Sequence, residues 1–355
     1  MPLEPLPSDQ ARHTWETLVG NGLVRDAVQR ALTEGRLPHG LLLHGPEHVG
    51  KMGFAVAITK HLMAGQWPPG DEEARRTVAK IARSSHPDIL CLRPDMRAGK
   101  ALQIKIDDVR EVERLAPLSA IESPWKVVII DGAERMNPQT ANSLLKVLEE
   151  PPSHCKFLLI SHRRSALLPT VISRCTPLRF GPVPSEELVP WLVQSQGLEP
   201  SQAELAARWS EGRPGAALAL PLAQWESHLG EVNEAMERFI AGDFGGIFDT
   251  AARLLAVGKR SKTTEETPLV AALRWARLWL RDRLVASAAP GEPDLLTRGI
   301  TAPPSDGWSV PLLCTLGDEI ERLWPLADRT IDAQLALESA LTTVGALRGK
   351  QATPS

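Results

Sequence analysis

No stretch of this sequence is long and apolar enough to span a bilayer. The richest runs, GLLLHG at 40–45 and FLLIS at 157–161, are a few residues long where about 20 are needed. The first residues, MPLEPLPSDQ, lack the basic region followed by an apolar stretch that marks a secretion signal, so a cytoplasmic protein without a membrane partner is expected. Cysteine is sparse. The four cysteines, Cys91, Cys155, Cys175 and Cys314, are widely spaced and form no C-x-x-C, so neither a zinc site nor a disulfide framework is suggested. Neither sign of charge dominates: 40 Lys and Arg stand against 43 Asp and Glu. The total therefore demands no nucleic-acid partner, although a local basic surface can hide in a balanced sum. There are no internal repeats and no low-complexity tract.

What is present is an ordinary globular composition, 43% hydrophobic and 23% charged over 355 residues, which implies two or three domains. The first half alternates strand and helix signals. Strands are expected at GLLLHG (40–45), DILCLR (88–93), KVVIID (126–131), KFLLISH (156–162) and TPLRF (176–180). Helices are expected at 52–65, at 106–118 with Asp107 as cap, and at 137–152. In the last of these Asn137 caps, Pro138 opens the first turn and Pro151–Pro152 stop it. Apolar strands alternating with helices indicate a parallel sheet covered on both faces. From about 183 the strand signal ends. Two short helices with Ser caps follow, the second with the Ser201/Glu204 capping-box spacing. Beyond 224 the chain is helical, interrupted by a Pro/Gly-rich stretch at 287–307. A final helix over about 327–348 is expected to turn Ile331, Leu335, Leu341 and Val344 toward a core.

Three constellations carry chemistry. The first is HGPEHVGKMG (44–53), nearly the phosphate-binding loop G-x-x-x-x-G-K-[ST]. Gly45, Gly50 and Lys51 fall where backbone N–H groups and a lysine would hold phosphate oxygens. Met52 stands where a hydroxyl would bind Mg²⁺, and a thioether is a poor ligand for that hard ion. A ligand-free Gly-Lys turn between a strand and a helix has the same look. The second is KVVIIDGAERM, an apolar strand ending in Asp131, the place of a metal-binding carboxylate. Gly132 follows where a water-activating Glu is usual, and Glu134 lies two residues further, pointing elsewhere. The third is LLPTVISRC (167–175), whose Arg174 follows a strand–helix unit. Such an arginine is either a surface residue or one that reaches a neighbour's γ-phosphate.

SLLKVLEEPP (143–152) followed by LLPTVISRC, after a loop-and-Asp pair, resembles the clamp-loader branch of the AAA+ ATPases. HGLLLHGPEHVGK (39–51), SHPDILCLRP (85–94), IKIDDVREV (104–112) and DAQLALESAL (332–341) add to the likeness. It is densest over 39–181 and thin in the helical C-terminal part. The resemblance implies an α/β parallel-sheet AAA+ domain of P-loop NTPase type over 1–181, a small helical lid over 182–223, and an all-α collar over 224–355. It implies a hetero-pentameric ring in the replisome at the nucleoid, with motor subunits of gamma/tau type and a clamp-opening delta subunit. The ring would load a sliding clamp on primed DNA as part of a DNA polymerase holoenzyme. It also implies that Arg174, flanked by Ser173 and Cys175, acts in trans on a neighbour's ATP. Lys51 and Asp131 would occupy the places of the loop lysine and the metal carboxylate.

The departures from that pattern set the expected activity. Met52 replaces the Mg²⁺ hydroxyl, Gly132 the base, and Gly215 in GRPGAAL (212–218) the arginine that senses γ-phosphate, with Arg213 nearby but offset. Losing all three describes an ATPase that no longer turns over, with at most weak ATP or phosphate affinity through Lys51. A Met52→Thr/Gly132→Glu double variant that regained hydrolysis would support this. No zinc is expected either, because the interval 62–85 lacks the four cysteines that many relatives carry, leaving a loop plus a polar helix. The rivals are an active AAA+ ATPase, either a clamp-loader motor subunit or a DNA-remodelling ring, which positions 52, 132 and 215 oppose, and an unrelated small-molecule P-loop kinase. The kinase leaves SLLKVLEEPP and the helical C-terminal third unexplained. Arg110 and Arg114 sit on a predicted helix, and no DNA contact is assigned to them.

Overall fold

The computed structural model describes residues 6, 13–65, 67–68, 70–94, 103–220, 222–241, 245–261, 267–288, 308–327 and 331–351. The chain divides into two compact units, Met1–Leu218 and Ala219–Ser355.

The first unit is built on five strands, β1 (Gly40–His44), β2 (Ile89–Leu92), β3 (Lys126–Asp131), β4 (Cys155–Ser161) and β5 (Thr176–Arg179). They form one sheet in the order β2-β3-β4-β1-β5, and every pairing is parallel. Around it run α1 (Gly22–Thr33), α2 (Lys51–Ala64), α3 (Glu72–Ala82), α4 (Ile106–Leu115), α5 (Pro138–Glu149) and α6 (Pro169–Ile172). Side chains alternate between faces. Leu41, Leu43, Val127, Ile129, Leu158 and Ile160 join a core with residues of α1, α2 and α3. Leu42, Val128, Ile130, Phe157 and Leu159 join another with residues of α4, α5 and α6. The doubly covered parallel sheet expected from the sequence is present. Only β5 is largely exposed, which fits an edge strand that carries Pro177 and needs partners on one side alone.

Three helix caps in this unit differ from the expected ones. α5 begins as predicted, with Thr140 N–H donating to the Asn137 side chain at 2.8 Å and Pro138 in its first turn. α4 begins at Ile106, where its span was expected to begin, but Lys105 is the N-cap and Asp107 lies inside the first turn, where its charge suits the positive helix end. α7 (Ser185–Gln196) and α8 (Pro200–Trp209) are capped by Pro184 and Glu199, not by serines. Pro200 takes the first helical position of α8 and so pushes Ser201 into the helix. α9 (Pro214–Leu218) closes the unit. α3, the polar helix expected between 62 and 85, is capped by Asp71, whose carboxylate accepts from Glu73 N–H at 2.9 Å.

The second unit consists of α10 (Trp225–Ala241), α11 (Gly245–Ser261), α12 (Pro268–Ala288), α13 (Val310–Leu323) and α14 (Ala333–Gln351). α12 is buried on most sides, with Trp275 and Trp279 among the most enclosed residues of the chain. The Trp279 indole donates to Asn233 at 3.0 Å, and the buried Arg283 lies 3.4 Å from Glu237. The last helix starts later than predicted. Its buried stripe is Leu337, Ala340, Leu341 and Val344, while Ile331 and Leu335 are exposed. The helix is set by Asp332, whose carboxylate accepts from Leu335 N–H at 3.0 Å. Ile331 therefore precedes the helix, and Leu335 sits in its first turn, off the buried stripe. Of the Pro/Gly-rich interruption, residues 289–307 lie outside the described residues.

Candidate functional site

In an open parallel sheet, functional loops gather at the carboxyl ends of the strands. Here that edge presents the Gly-rich loop after β1, Asp131 at the end of β3, and His162 just beyond β4. The loop has the backbone its glycines permit. Gly45 has φ +147, and a Cβ there would lie 2.2 Å from the Phe180 carbonyl oxygen. Gly50 has φ +96 and caps α2. Both values lie where L side chains are strained.

The lysine of this loop is turned inward. Lys51 is only 3% exposed. Its ammonium donates to the Gly45 carbonyl at 2.8 Å, to the Pro46 carbonyl, and to His162 Nδ1 at 3.1 Å. An ammonium has three donors, and all three have partners within the chain. Burial pushes its pKa down to about 8, opposed by Asp131, Glu47 and Glu134. Nε2 of His162 lies 3.8 Å from Glu47. The backbone N–H of His162 donates to Glu134 at 3.3 Å, so Glu134 serves the end of β4.

The remaining members do not compose a magnesium-nucleotide site. Met52 is 7% exposed and belongs to the apolar core with Leu18, Phe54 and Phe180. Asp131 faces a cation of the chain itself: Arg93, one residue past β2, places Nε 3.5 Å from its carboxylate. A guanidinium beside the carboxylate supplies the positive charge that a metal would bring, and Met52 offers no oxygen. Gly132 is left-handed, φ +74, and caps a short 3₁₀ turn, Ala133–Arg135. Gly215, expected from the resemblance to stand where a γ-phosphate sensor would be, has no side chain to offer. Its backbone N–H donates to the His48 carbonyl of the loop at 2.9 Å.

Arg174 is elsewhere. Strand register pairs Leu41 with Thr176 and His44 with Arg179, so Arg174, two residues before Thr176, lies at the amino end of the edge strand. The loop leaves the carboxyl end of β1. The five-residue advance from Cys175 to Phe180 corresponds to about 16 Å along the sheet, farther than an arginine side chain reaches. Cys175 is buried, and burial pushes its thiol up to about 11, so it anchors the turn as an apolar residue. Arg174 itself is 45% exposed in its side chain and 3.1 Å from Glu149.

The sequence brought together Gly45, Gly50, Lys51 and Asp131, and the structure places them on one edge. It missed Arg93 and His162. The only signal for Arg93 was its place after a strand, which becomes informative once β2 is known to lie beside β3.

Residues 21–184 match the family described as DNA polymerase III, delta subunit. The chain resembles the DNA polymerase III subunit delta' of Bacillus subtilis, with 30% identity over 52% of this chain and 54% of that protein. It likewise resembles the delta' subunit of Pseudomonas aeruginosa, with 36% identity over 46% of this chain and 50% of that protein. The DNA polymerase III subunit tau of Bacillus subtilis is 27% identical over 80% of this chain and 52% of its own. The chain thus spans about half the length of the curated relatives it matches.

Proposed function

We propose that this chain is a delta-prime-type subunit of a bacterial DNA polymerase III clamp loader: it does not hydrolyse ATP, and Arg174 completes a neighbour's ATP site. In this reading residues 182–223 form a lid and 224–355 a collar. The partners are gamma/tau-type motor subunits and a delta subunit in a hetero-pentameric ring that loads a sliding clamp on primed DNA. The observation that carries the reading is the state of the loop. Lys51 has every donor engaged inside the chain, and Met52 is core. The position of Arg174 supports the second half. It is too far along the sheet to serve its own loop, so any phosphate it meets belongs to another molecule. Such an arginine raises hydrolysis by roughly 10³–10⁵ in systems that use one.

The tau likeness over 80% of this chain favours a second reading, an active motor subunit. The contents of positions 52, 132 and 215 count against it. Steady-state ATP hydrolysis separates the two. The purified chain with Mg²⁺ is expected to be silent. The chain mixed with the motor subunits of its own organism is expected to turn over, and Arg174→Ala to depress that rate. Turnover by the chain alone, abolished by Lys51→Ala, would establish a motor instead. Weak phosphate or ATP affinity through Lys51 would require it to leave its internal acceptors, so binding should be no tighter than millimolar, about −4 kcal/mol.

A further inference from the structure

We infer that Glu149 is a positioning residue for Arg174, holding its guanidinium in the orientation it needs to meet an anion on a neighbouring molecule; this rests on the trans-acting reading of Arg174. Glu149 is the last residue of α5, the helix whose LEEPP ending has had no role beyond stopping it. Its carboxylate oxygen accepts from one terminal nitrogen of Arg174 at 3.1 Å. The other terminal nitrogen donates to Ser173 Oγ at 3.2 Å, and Ser173 Oγ in turn donates to the Thr170 carbonyl at 2.9 Å.

The guanidinium is thus fixed from two sides. A guanidinium carries five N–H donors in one plane, so the two contacts leave donors for a phosphate oxygen. The end of α5 reinforces the arrangement, because the last carbonyls of a helix carry partial negative charge that favours a cation. Behind the pair the turn is rigid. Cys175 is buried, and a Cβ on Gly40 would sit 3.1 Å from the Arg174 carbonyl oxygen, so β1 passes directly against the backbone. Both side chains are about half exposed, and ion pairs of that kind contribute little to stability. What such a pair does is narrow the rotamers of a long side chain that would otherwise lose them on engaging its target.

The test uses the reconstituted complex of this chain with the motor subunits of its own organism, with ATP hydrolysis measured against ATP concentration. Glu149→Ala is expected to lower kcat about three- to tenfold, the scale of a few lost rotamers, with KM changed less than about twofold. Glu149→Gln should lose less, since its amide oxygen can still accept from Arg174. In an Arg174→Ala background, Glu149→Ala should add nothing, because partners acting as a unit are not additive. The thermal midpoint of the isolated chain should stay the same in each variant. An unchanged or raised rate in Glu149→Ala, or a loss that persists in the Arg174→Ala background, would overturn the inference and leave the reading of Arg174 intact. A complex indifferent to Arg174→Ala would instead remove that reading and this inference with it.

Discussion

Gly215 and His48 are joined backbone to backbone: the N–H of Gly215 donates to the His48 carbonyl at 2.9 Å. The start of α9 is thereby tied to the loop that a nucleotide's phosphates would occupy. A Cβ at 215 would lie 3.2 Å from that same oxygen and 3.3 Å from the His48 Cβ, tighter than side chains ordinarily pack. Gly215→Arg, which restores the sensor residue on paper, is therefore expected to cost about 1–2 kcal/mol through overpacking. In a unit of this size that lowers Tm by a few degrees. Differential scanning calorimetry checks the loss, and an ATPase assay should show no gain, because Met52 is still in the core.

Restoring hydrolysis by the double substitution Met52→Thr/Gly132→Glu looks straightforward in the sequence and is not so in the structure. Met52 fills core volume, and shortening it while burying a hydroxyl is expected to cost about 2–4 kcal/mol. Gly132 has φ +74, and a Cβ there would meet Pro94 Cγ at 3.1 Å. A non-glycine residue in that region costs about 1–2 kcal/mol. The double variant should unfold at markedly lower urea concentration and hydrolyse no ATP above background. Hydrolysis at wild-type stability would show that the loop and the end of β3 rearrange easily.

The inward lysine predicts a pH dependence. Burial holds its pKa at about 8 in the folded chain, below the ordinary lysine value of 10.5, so the unfolded chain binds more protons than the folded one between those values. Stability attributable to this group therefore rises with pH across that window, and the cost of burying the charge is fully present below it. A shift of this size corresponds to about 3 kcal/mol. Lys60 and Lys156 are also lowered by burial, so the signal is the difference between wild type and Lys51→Met. Denaturant titrations from pH 7 to 10.5 should show wild type gaining on the variant through the upper half of that range. Parallel curves would mean that Lys51 is not held as described.

Much of this was legible in the sequence because it is local. Five apolar runs gave five parallel strands, and Asn137 with Pro138 fixed the start of α5, because a cap and a first-turn proline act within four residues. The loop glycines and Lys51 were legible for the same reason. Arg93 opposite Asp131, His162 under Lys51, and Glu149 beside Arg174 were not, because each pair depends on which strands or helices lie side by side. The misplaced start of α14 had a different cause. Ile331 and Leu335 are in helical phase with each other, and apolar phase alone does not say where the helix begins; Asp332 does.

Asp88 is the residue whose weight the sequence most understated. It lies in the SHPD segment just before β2 and is completely buried. Its carboxylate accepts three successive backbone N–H groups, from Ile121 at 2.6 Å, Glu122 at 2.8 Å and Ser123 at 3.0 Å. Its own carbonyl accepts from Val127 N–H at 2.9 Å, at the start of β3. One side chain therefore holds the connection between α4 and β3, including the exposed Ile121. Removing it strands three donors, and each buried donor left without a partner costs about 1–3 kcal/mol. Solvent can reach part of this loop, so Asp88→Ala is expected to cost about 3–5 kcal/mol. Asp88→Asn should cost less, since one acceptor oxygen survives while an amide N–H₂ faces a backbone donor. Equilibrium urea unfolding gives the magnitudes. Amide hydrogen exchange at 121–123 should lose protection first in Asp88→Ala, ahead of the strands. Stability within about 0.5 kcal/mol of wild type, the range of ordinary surface substitutions, would mean that the three N–H groups find other acceptors and that the carboxylate does not organise this loop.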